Sequence, residues 1–454
     1  MKFQYVFKFL SIFAISIGLL LALSSIEYKV QERNQYRAQA KSSIADGWSG
    51  SQVVASPILR LSLSRTYEQE VFDENLKLYV TKQRVSNWTE WHIPDRLNIR
   101  SEVSMQERYL GIYTIPVYET KLQIEGEFTQ TLTIKDNASI TKAELITSFS
   151  DMRGISSIPA IEWNKASVDF RPAEQPNLLG NYISADLTDA NPLAPAKFTM
   201  TTKLRGLDAI HFVPTAKEVT ASIQSSWPHP YFEGRYLPVK REISDSGFLA
   251  VWELSEFATS IQNTIAACQK DVDGCAYTLR SNTFGVGMHN PVDVYQKTDR
   301  SLKYGFLFIF LTFTVFFLFE TIKRIPIHPI QYALVGCALA IFYLLLISLS
   351  EHISFTKSYL IAAVACVGLI GFYLSYVLNN KLQALAMSAG MGLLYTALFM
   401  ILRSEDSALL MGAALTFISL GTLMIVTRNI DWYQLHKQPV KETPPADSTE
   451  KLVT

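Results

Sequence analysis

The densest run of versatile side chains is SSWPHPYFEGRYLP at 225–238, which sets Trp227, His229, Tyr231, Phe232, Arg235 and Tyr236 among prolines at 228, 230 and 238. Proline fixes φ and removes a donor, so this backbone is preset, while the aromatics offer amphipathic contact area. Two readings stay open: a rigid inter-strand connection packed on a core, or a surface on which these six residues contact a partner or a membrane interface. A second cluster, DMRGI at 151–155, places Asp151 two residues before Arg153 with Gly154 available for a turn. A local ion pair bracing that turn is favoured over ligand binding.

Catalytic signatures are missing. H-E-x-x-H, G-x-S-x-G, G-x-x-x-x-G-K-[ST] and a full G-x-G-x-x-G do not occur, and Gly285-Val286-Gly287 is followed by Met-His-Asn, which cannot supply a third glycine. His92, His211, His229 and His289 lie far apart, and none has a second His at i+3 or i+4. No catalytic residue, metal or cofactor is therefore expected. Cys268 and Cys275 are separated by six residues. In an oxidising compartment a disulfide there would stabilise by roughly 2–3 kcal/mol, the alternative being two free thiols. Asn87-Trp88-Thr89 and Asn137-Ala138-Ser139 match glycosylation sequons, a pattern that chance supplies often.

The elements holding these groups divide sharply along the chain. Between Val53 and Trp252 the pattern is mostly period two, as in Leu122, Ile124, Gly126 and Phe128 with Gln123, Glu125 and Glu127 between them. Such alternation predicts half-buried antiparallel strands, here a mainly β (α+β) domain built as a sandwich or as paired sheets. Pro172–Pro195, rich in proline and asparagine, reads as a surface excursion. Ser255–Cys268 reads as a helix with Phe257, Ile261, Ile265 and Cys268 along one face.

Residues Tyr304–Thr427 hold only nine of the chain's 82 charged side chains, a membrane composition. Phe9–Ile26 is an uncharged run after Lys2 and Lys8 that reads as an uncleaved anchor rather than a signal peptide, with Glu27–Ala45 continuing its helix. Tyr304–Phe319, Ile330–Ser350, Ser358–Asn380, Leu382–Leu402 and Ser407–Thr427 complete six transmembrane helices. The charges near these runs, Glu320, Glu351, His352, Arg403, Glu405 and Asp406, fall at span ends, which argues against an ion-coupled transporter. Asp406 reads as a helix cap, and His328 before Pro329 as a helix entry. Lys and Arg in the short loops favour cytoplasmic termini, with the basic residues that flank the large domain pulling the other way. The resulting organisation is an anchor at 1–27, an external mainly β domain at 28–303, a five-helix bundle at 304–428 and a cytoplasmic tail at 429–454. The chain carries 41 basic and 41 acidic side chains, a balance that fits a basic nucleic-acid binder poorly and names no partner, while the apolar spans make membrane lipids an expected one. No residue pattern specifies an oligomeric state.

The same segments carry a family likeness. SSWPHPYFEGRYLPVKREISDSGFLAVW at 225–252, PVDVYQKTDRSLKYGFLFIFLTF at 291–313, FFLFE at 316–320, HPIQYALVG at 328–336, FYLLLISLSEH at 342–352, DSALLMG at 406–412, TRNIDWY at 427–433 and DMRGI resemble the CreD family of inner-membrane proteins. The resemblance covers nearly the whole chain and is most specific from Ser225 onward. It implies a bacterial inner-membrane protein with a periplasmic domain, produced under the CreBC two-component system and serving cell-envelope integrity through an envelope component. It carries over no catalytic or ligand-binding residue. Two rival expectations remain: a transporter or flippase for a lipid or other amphiphile, and an envelope-polymer enzyme whose site gathers distant groups such as Asp151, Arg153, His211 and His229.

Overall fold

The computed structural model describes residues 2–73, 77–134, 138–172, 181–268, 277–279, 281–288, 294–323, 327–378, 381–404 and 408–428. Contacts divide the chain into two compact units, Tyr36–Pro291 and Met1–Gln35 with Val292–Thr454. Helix α1, Lys2–Gly47, is the one element that contributes to both. The anchor and its polar continuation are therefore a single helix, as the sequence predicts.

The first unit is mainly sheet. Its strands are β1 (Gln52–Asp73), β2 (Leu78–His92), β3 (Arg96–Leu110), β4 (Tyr113–Phe128), β5 (Ser139–Phe149), β6 (Ala160–Trp163), β7 (Ala166–Pro172) and β8 (Tyr182–Asp186). They continue as β9 (Ala196–Leu207), β10 (Ala209–Val213), β11 (Glu218–Ser225), β12 (Tyr231–Gly234), β13 (Lys240–Ser244), β14 (Gly247–Ser255) and β15 (Phe284–Gly287). The order is β12-β15-β10-β1-β5-β8-β7-β6-β9-β4-β3-β11-β14-β13, with β2 on β1. Pairing is antiparallel except for β1 with β10 and β3 with β11. Instead of two separate sheets, one hydrogen-bonded path turns at β7, which pairs with β6 on one side and β8 on the other.

Side chains from both halves of the path meet in a single core. Leu59, Leu61 and Leu63 of β1 point into it, with Ile124 and Phe128 of β4 and Phe198 of β9, while Glu125 and Glu127 of β4 face Arg100 and Arg96 on the other side. Here the period-two pattern converts directly into burial. Gly126 interrupts the apolar series because a Cβ there would collide with the Phe198 ring. Ser56 and Pro57 sit at a register shift in the β1–β5 pairing, where a residue lacking an N–H is tolerated.

Beyond Ser64 the β1–β2 hairpin continues without β5. Nine register pairs, from Arg65↔Ser86 to Asp73↔Leu78, extend as a two-stranded ribbon. At ~3.4 Å per residue its length is about 30 Å. Phe72, Tyr79, Leu78 and Val85 are exposed along it, and the Phe72 and Tyr79 rings meet edge to face.

Two sequence expectations are corrected. Pro172–Pro195 contains β8, which pairs with β5 and β7, so the excursion returns to the sheet. The helix expected over 255–268 is broken into a single turn, α2 (Glu256–Thr259), and α3 (Ile261–Cys268), because Ser260 adopts a left-handed conformation with φ 50°. That break turns Phe257 fully into solvent, while Ile261 and Ile265 bury against Ile58, Ile146 and Tyr182 on the outer sheet face.

The second unit is helical: residues of α1, then α4 (Val294–Lys303), α5 (Gly305–Lys323), α6 (Pro329–Ser350), α7 (Phe355–Val377), α8 (Lys381–Arg403) and α9 (Ala408–Thr427). Among the described residues four helices are long and apolar enough to cross a membrane, Leu10–Gly47, Pro329–Ser350, Phe355–Val377 and Lys381–Arg403; Gly305–Glu320 and Leu410–Ile425 are shorter apolar helices. Leu19, Leu23, Ile26 and Val30 form one buried stripe of α1. Leu19 lies over Gly336 of α6 so closely that any Cβ there would clash, the small-residue packing usual between membrane helices. The bundle core is aromatic. Phe342 of α6 meets Tyr395 of α8 and Tyr359 of α7 edge to face, Tyr359 Oη donates to the Tyr395 carbonyl at 2.7 Å, and Tyr395 Oη donates to Cys366 Sγ at 3.0 Å. His328 opens α6 as expected of a helix entry, its Nδ1 accepting from Ile330 N and its own N–H bonding Gln331 Oε1. The Asp406 cap lies outside the described residues.

Candidate functional site

The segment 225–238 bridges the two ends of the strand path. It leaves β11, forms β12 against β15 and leads into β13, the edge strand beside β14. Three of the six singled-out residues face the core. Trp227 packs on it and donates Nε1–H to the His229 carbonyl at 2.8 Å. Phe232 lies edge-on to Phe248 and Trp252 at 6.1 and 6.0 Å. Tyr236 is half-buried, and its carbonyl accepts from Trp252 Nε1 at 3.1 Å; burial raises the Tyr236 phenol pKa against the opposing pull of Arg235.

The other three face solvent. His229 is exposed and Tyr231 is 63% exposed. Arg235 is also exposed, but its Nη1 donates to Asn282 Oδ1 at 2.6 Å and its backbone N–H to the Thr283 carbonyl at 2.7 Å. Leu237, Val239 and Ile243, further along the same segment, are exposed apolar side chains. The connection is thus rigid and packed while also presenting contact area. Beside it, β3, β11 and the β13–β14 hairpin border an open groove of about 640 Å³ lined by residues such as Glu102, Gln224, Glu242 and Phe248.

DMRGI forms the expected local ion pair and reaches further. Met152–Gly154 is a 3-10 turn in which Arg153 Nε and Nη2 donate to Asp151 at 2.9 and 2.8 Å. The Asp151 carboxylate also accepts from Gly50 N at 3.2 Å and Arg153 N at 3.1 Å. The Arg153 hydrogen bonds, helped by those backbone donors, hold the Asp151 pKa at about 2 against partial burial. Arg153 Nη1 donates to the Asp46 carbonyl at 2.8 Å, a cation at the C-terminal end of α1 where free carbonyls favour one. Buried Gln52 completes the junction: its Nε2 donates to Ser49 Oγ at 2.7 Å, the Asp151 carbonyl at 2.9 Å and the Arg205 carbonyl at 3.2 Å. Next to it the Trp48 indole lies between the guanidinium groups of Arg108 and Arg205, at 4.3 and 4.5 Å from the ring centre. Lys41 Nζ meets Asp208 at 2.7 Å, and Ile44 packs on Ile115, Val117 and Leu207. No local motif signalled this clamp, because its members come from α1, β1, β3, β4, the DMRGI turn and β9.

His211 pairs with Glu233 at 3.4 Å on β10 and β12, Arg153 pairs with Asp151, and His229 is exposed. Neither large pocket is lined by any of these four groups. Among the described residues no cluster of three or more His, Cys, Asp or Glu side chains suits a metal ion. Cys275 and His289 lie outside the described residues, and with Cys275 the expected pairing of Cys268.

A large sheet unit, a separate set of apolar helices and a clamp where α1 ends define a multi-pass membrane protein with a sizeable extramembrane domain. The sequence profile of the family described as Inner membrane protein CreD matches residues 4–433, and the chain belongs to that family. It is 31% identical over 456 residues to Inner membrane protein CreD of Escherichia coli K12, covering 100% of this chain and 99% of that one. Among solved structures, an M1 zinc metallopeptidase of Deinococcus radiodurans aligns at TM-score 0.19 and 7% identity, over 36% of this chain and 38% of that one. Yeast LTA4 hydrolase aligns at TM-score 0.20 and 10% identity, over 49% of this chain and 35% of that one.

Proposed function

We propose that the protein is a non-enzymatic envelope-integrity protein of the inner membrane whose sheet unit binds an envelope component. In this reading α1, α5, α6, α7, α8 and α9 are six spans, both termini are cytoplasmic, and residues 28–303 face the periplasm. The loop Lys and Arg distribution supports that orientation. Production under the CreBC two-component system is carried by the resemblance to the CreD family.

The observation that carries the reading is the segment from Tyr231 to Ile243. Tyr231, Leu237, Val239 and Ile243 are exposed on a backbone pinned by the Trp252–Tyr236 and Arg235–Thr283 hydrogen bonds. Exposed apolar groups on a preordered frame bind with little ordering cost. A domain tethered to the bilayer also meets membrane-bound partners at raised effective concentration. Of the six proposed contact residues, His229, Tyr231 and Arg235 would touch the partner directly, while Trp227, Phe232 and Tyr236 hold them in place from the core side. A photoreactive residue at Tyr231 should yield a discrete adduct in living cells. Trp227→Ala and Arg235→Ala should give an envelope defect at normal membrane abundance, and normal function in both would remove the segment from consideration.

A further inference from the structure

A second cleft, sharing no residue with the Tyr231–Ile243 segment, opens where the end of β2, the connection into β3, the chain after β4 and helix α3 come together. It encloses about 410 Å³, within the range of roughly 300–1,000 Å³ usual for small-molecule sites. Its walls come from positions up to 175 apart in sequence, from Trp91 to Ala266.

The electrostatics of the cleft are closed. Lys217 Nζ donates to Asp95 Oδ1 at 2.6 Å, and Asp95 Oδ2 accepts from Thr129 N and Oγ1 at 2.7 and 2.6 Å. Burial opposes ionisation of Asp95, but the hydrogen bonds from Lys217 and Thr129 outweigh it and keep the carboxyl below its usual range. Among the described residues the one Lys and the one carboxylate lining the cleft therefore cancel, and neither is left to select a charged ligand. His92 is not a free cation either: burial lowers its pKa despite Glu90, whose Oε2 lies 3.4 Å from His92 Nε2.

What remains on the walls is uncharged, an apolar part that includes Ile93, Phe128 and Leu132 and a polar part that is two-sided. The amides of Gln130 and Gln262 and the hydroxyls of Thr131 and Thr133 each both donate and accept, and all four residues are exposed. Partly buried Trp91 lines the same cleft, opposite Arg60 in register and packed on the cluster of Ile58, Ile146 and Ile265. A fixed aromatic surface beside side chains that each donate and accept matches a pyranose ring, which has an apolar C–H face and hydroxyls that do the same.

We infer that this cleft is a binding site for a neutral saccharide segment. A phosphate-bearing ligand is disfavoured because Lys217 is already paired.

The full-length protein should be titrated by calorimetry with chitotriose and with maltotriose, in lauryldimethylamine oxide because maltoside and glucoside detergents would compete. Inorganic pyrophosphate serves as the charged comparison. Saturable binding of either trisaccharide is expected, weakened about tenfold by Trp91→Ala and several-fold by Gln262→Ala or Thr133→Ala. Trp227→Ala should leave that binding unchanged, which separates this site from the partner-binding segment. The Gln262 and Thr133 variants decide the matter if Trp91→Ala does not fold, since both positions are exposed. Failure of both trisaccharides to saturate, unchanged affinity in the Gln262 and Thr133 variants, or preference for pyrophosphate would overturn the inference.

Discussion

Gly154→Ala tests the clamp with a single methyl group. A Cβ at this buried position would lie 2.5 Å from the Arg205 carbonyl oxygen and 2.9 Å from Ser49 Oγ, and closer still to Gln52 Nε2. The Arg205 carbonyl belongs to β9, held in register with Glu119 of β4, so it does not yield. Gln52 must then move, losing one or more of its three hydrogen bonds. Overpacking costs about 1–3 kcal/mol and an orphaned buried polar group about 1–3 more, so roughly 2–6 kcal/mol in all. For a unit of this size that corresponds to a fall of about 4–24 °C in its unfolding midpoint. Hydrogen exchange on the full chain should show faster exchange in 49–55 and 150–156, with the helical unit unaffected. Gln52→Ala in the Gly154→Ala background should cost less than the sum of the two changes, because the colliding side chain is already gone. A midpoint within about 1 °C of wild type, or strict additivity, would refute the account of a filled junction.

Asp151→Asn should lower stability in a pH-dependent way. The folded pKa of about 2 lies below the unfolded value of ~3.9, so the contribution is complete above pH ~4 and vanishes as pH falls through 2. The wild-type advantage in chemical unfolding should therefore shrink between pH 5 and pH 2. Trp252→Phe removes volume at a fully buried position and the donor to the Tyr236 carbonyl, and should cost ~2–3 kcal/mol in thermal unfolding. Gly336→Val should reduce the thermal stability of the solubilised helical unit, because Leu19 occupies the space; Gly368→Ala, with nothing within 4 Å of its Cβ, should not. Tyr118→Phe strands the Ala209 carbonyl that its hydroxyl serves at 2.8 Å and should cost about 1–2 kcal/mol in the same melt.

Periodicity was readable wherever one face of a strand is buried. The Leu122–Phe128 alternation lies in β4, and Phe198–Leu204, Val219–Ser225 and Phe248–Leu254 lie in β9, β11 and β14. The break at Ser260 was hidden because serine carries no mark of a left-handed conformation; a glycine there would have. Tyr182–Asp186 was masked by flanking prolines, although only tertiary pairing with β5 and β7 makes it a strand. The 225–238 segment announced itself by composition, yet which of its side chains turn inward depends on Phe248 and Trp252, well downstream. The Lys217–Asp95 pair joins residues 122 positions apart, and no local pattern can foretell such a meeting.

The bare β1–β2 ribbon has a kinetic consequence. Two strands without a third, or a covering layer, are barely stable in water, so the amides from Arg65 to Ser86 should open far more readily than the leucines of the same strand nearer its start. A protease supplied to the native protein would find its first cut there. Whatever molecule settles on this arm in the cell would announce itself as protection of those same amides.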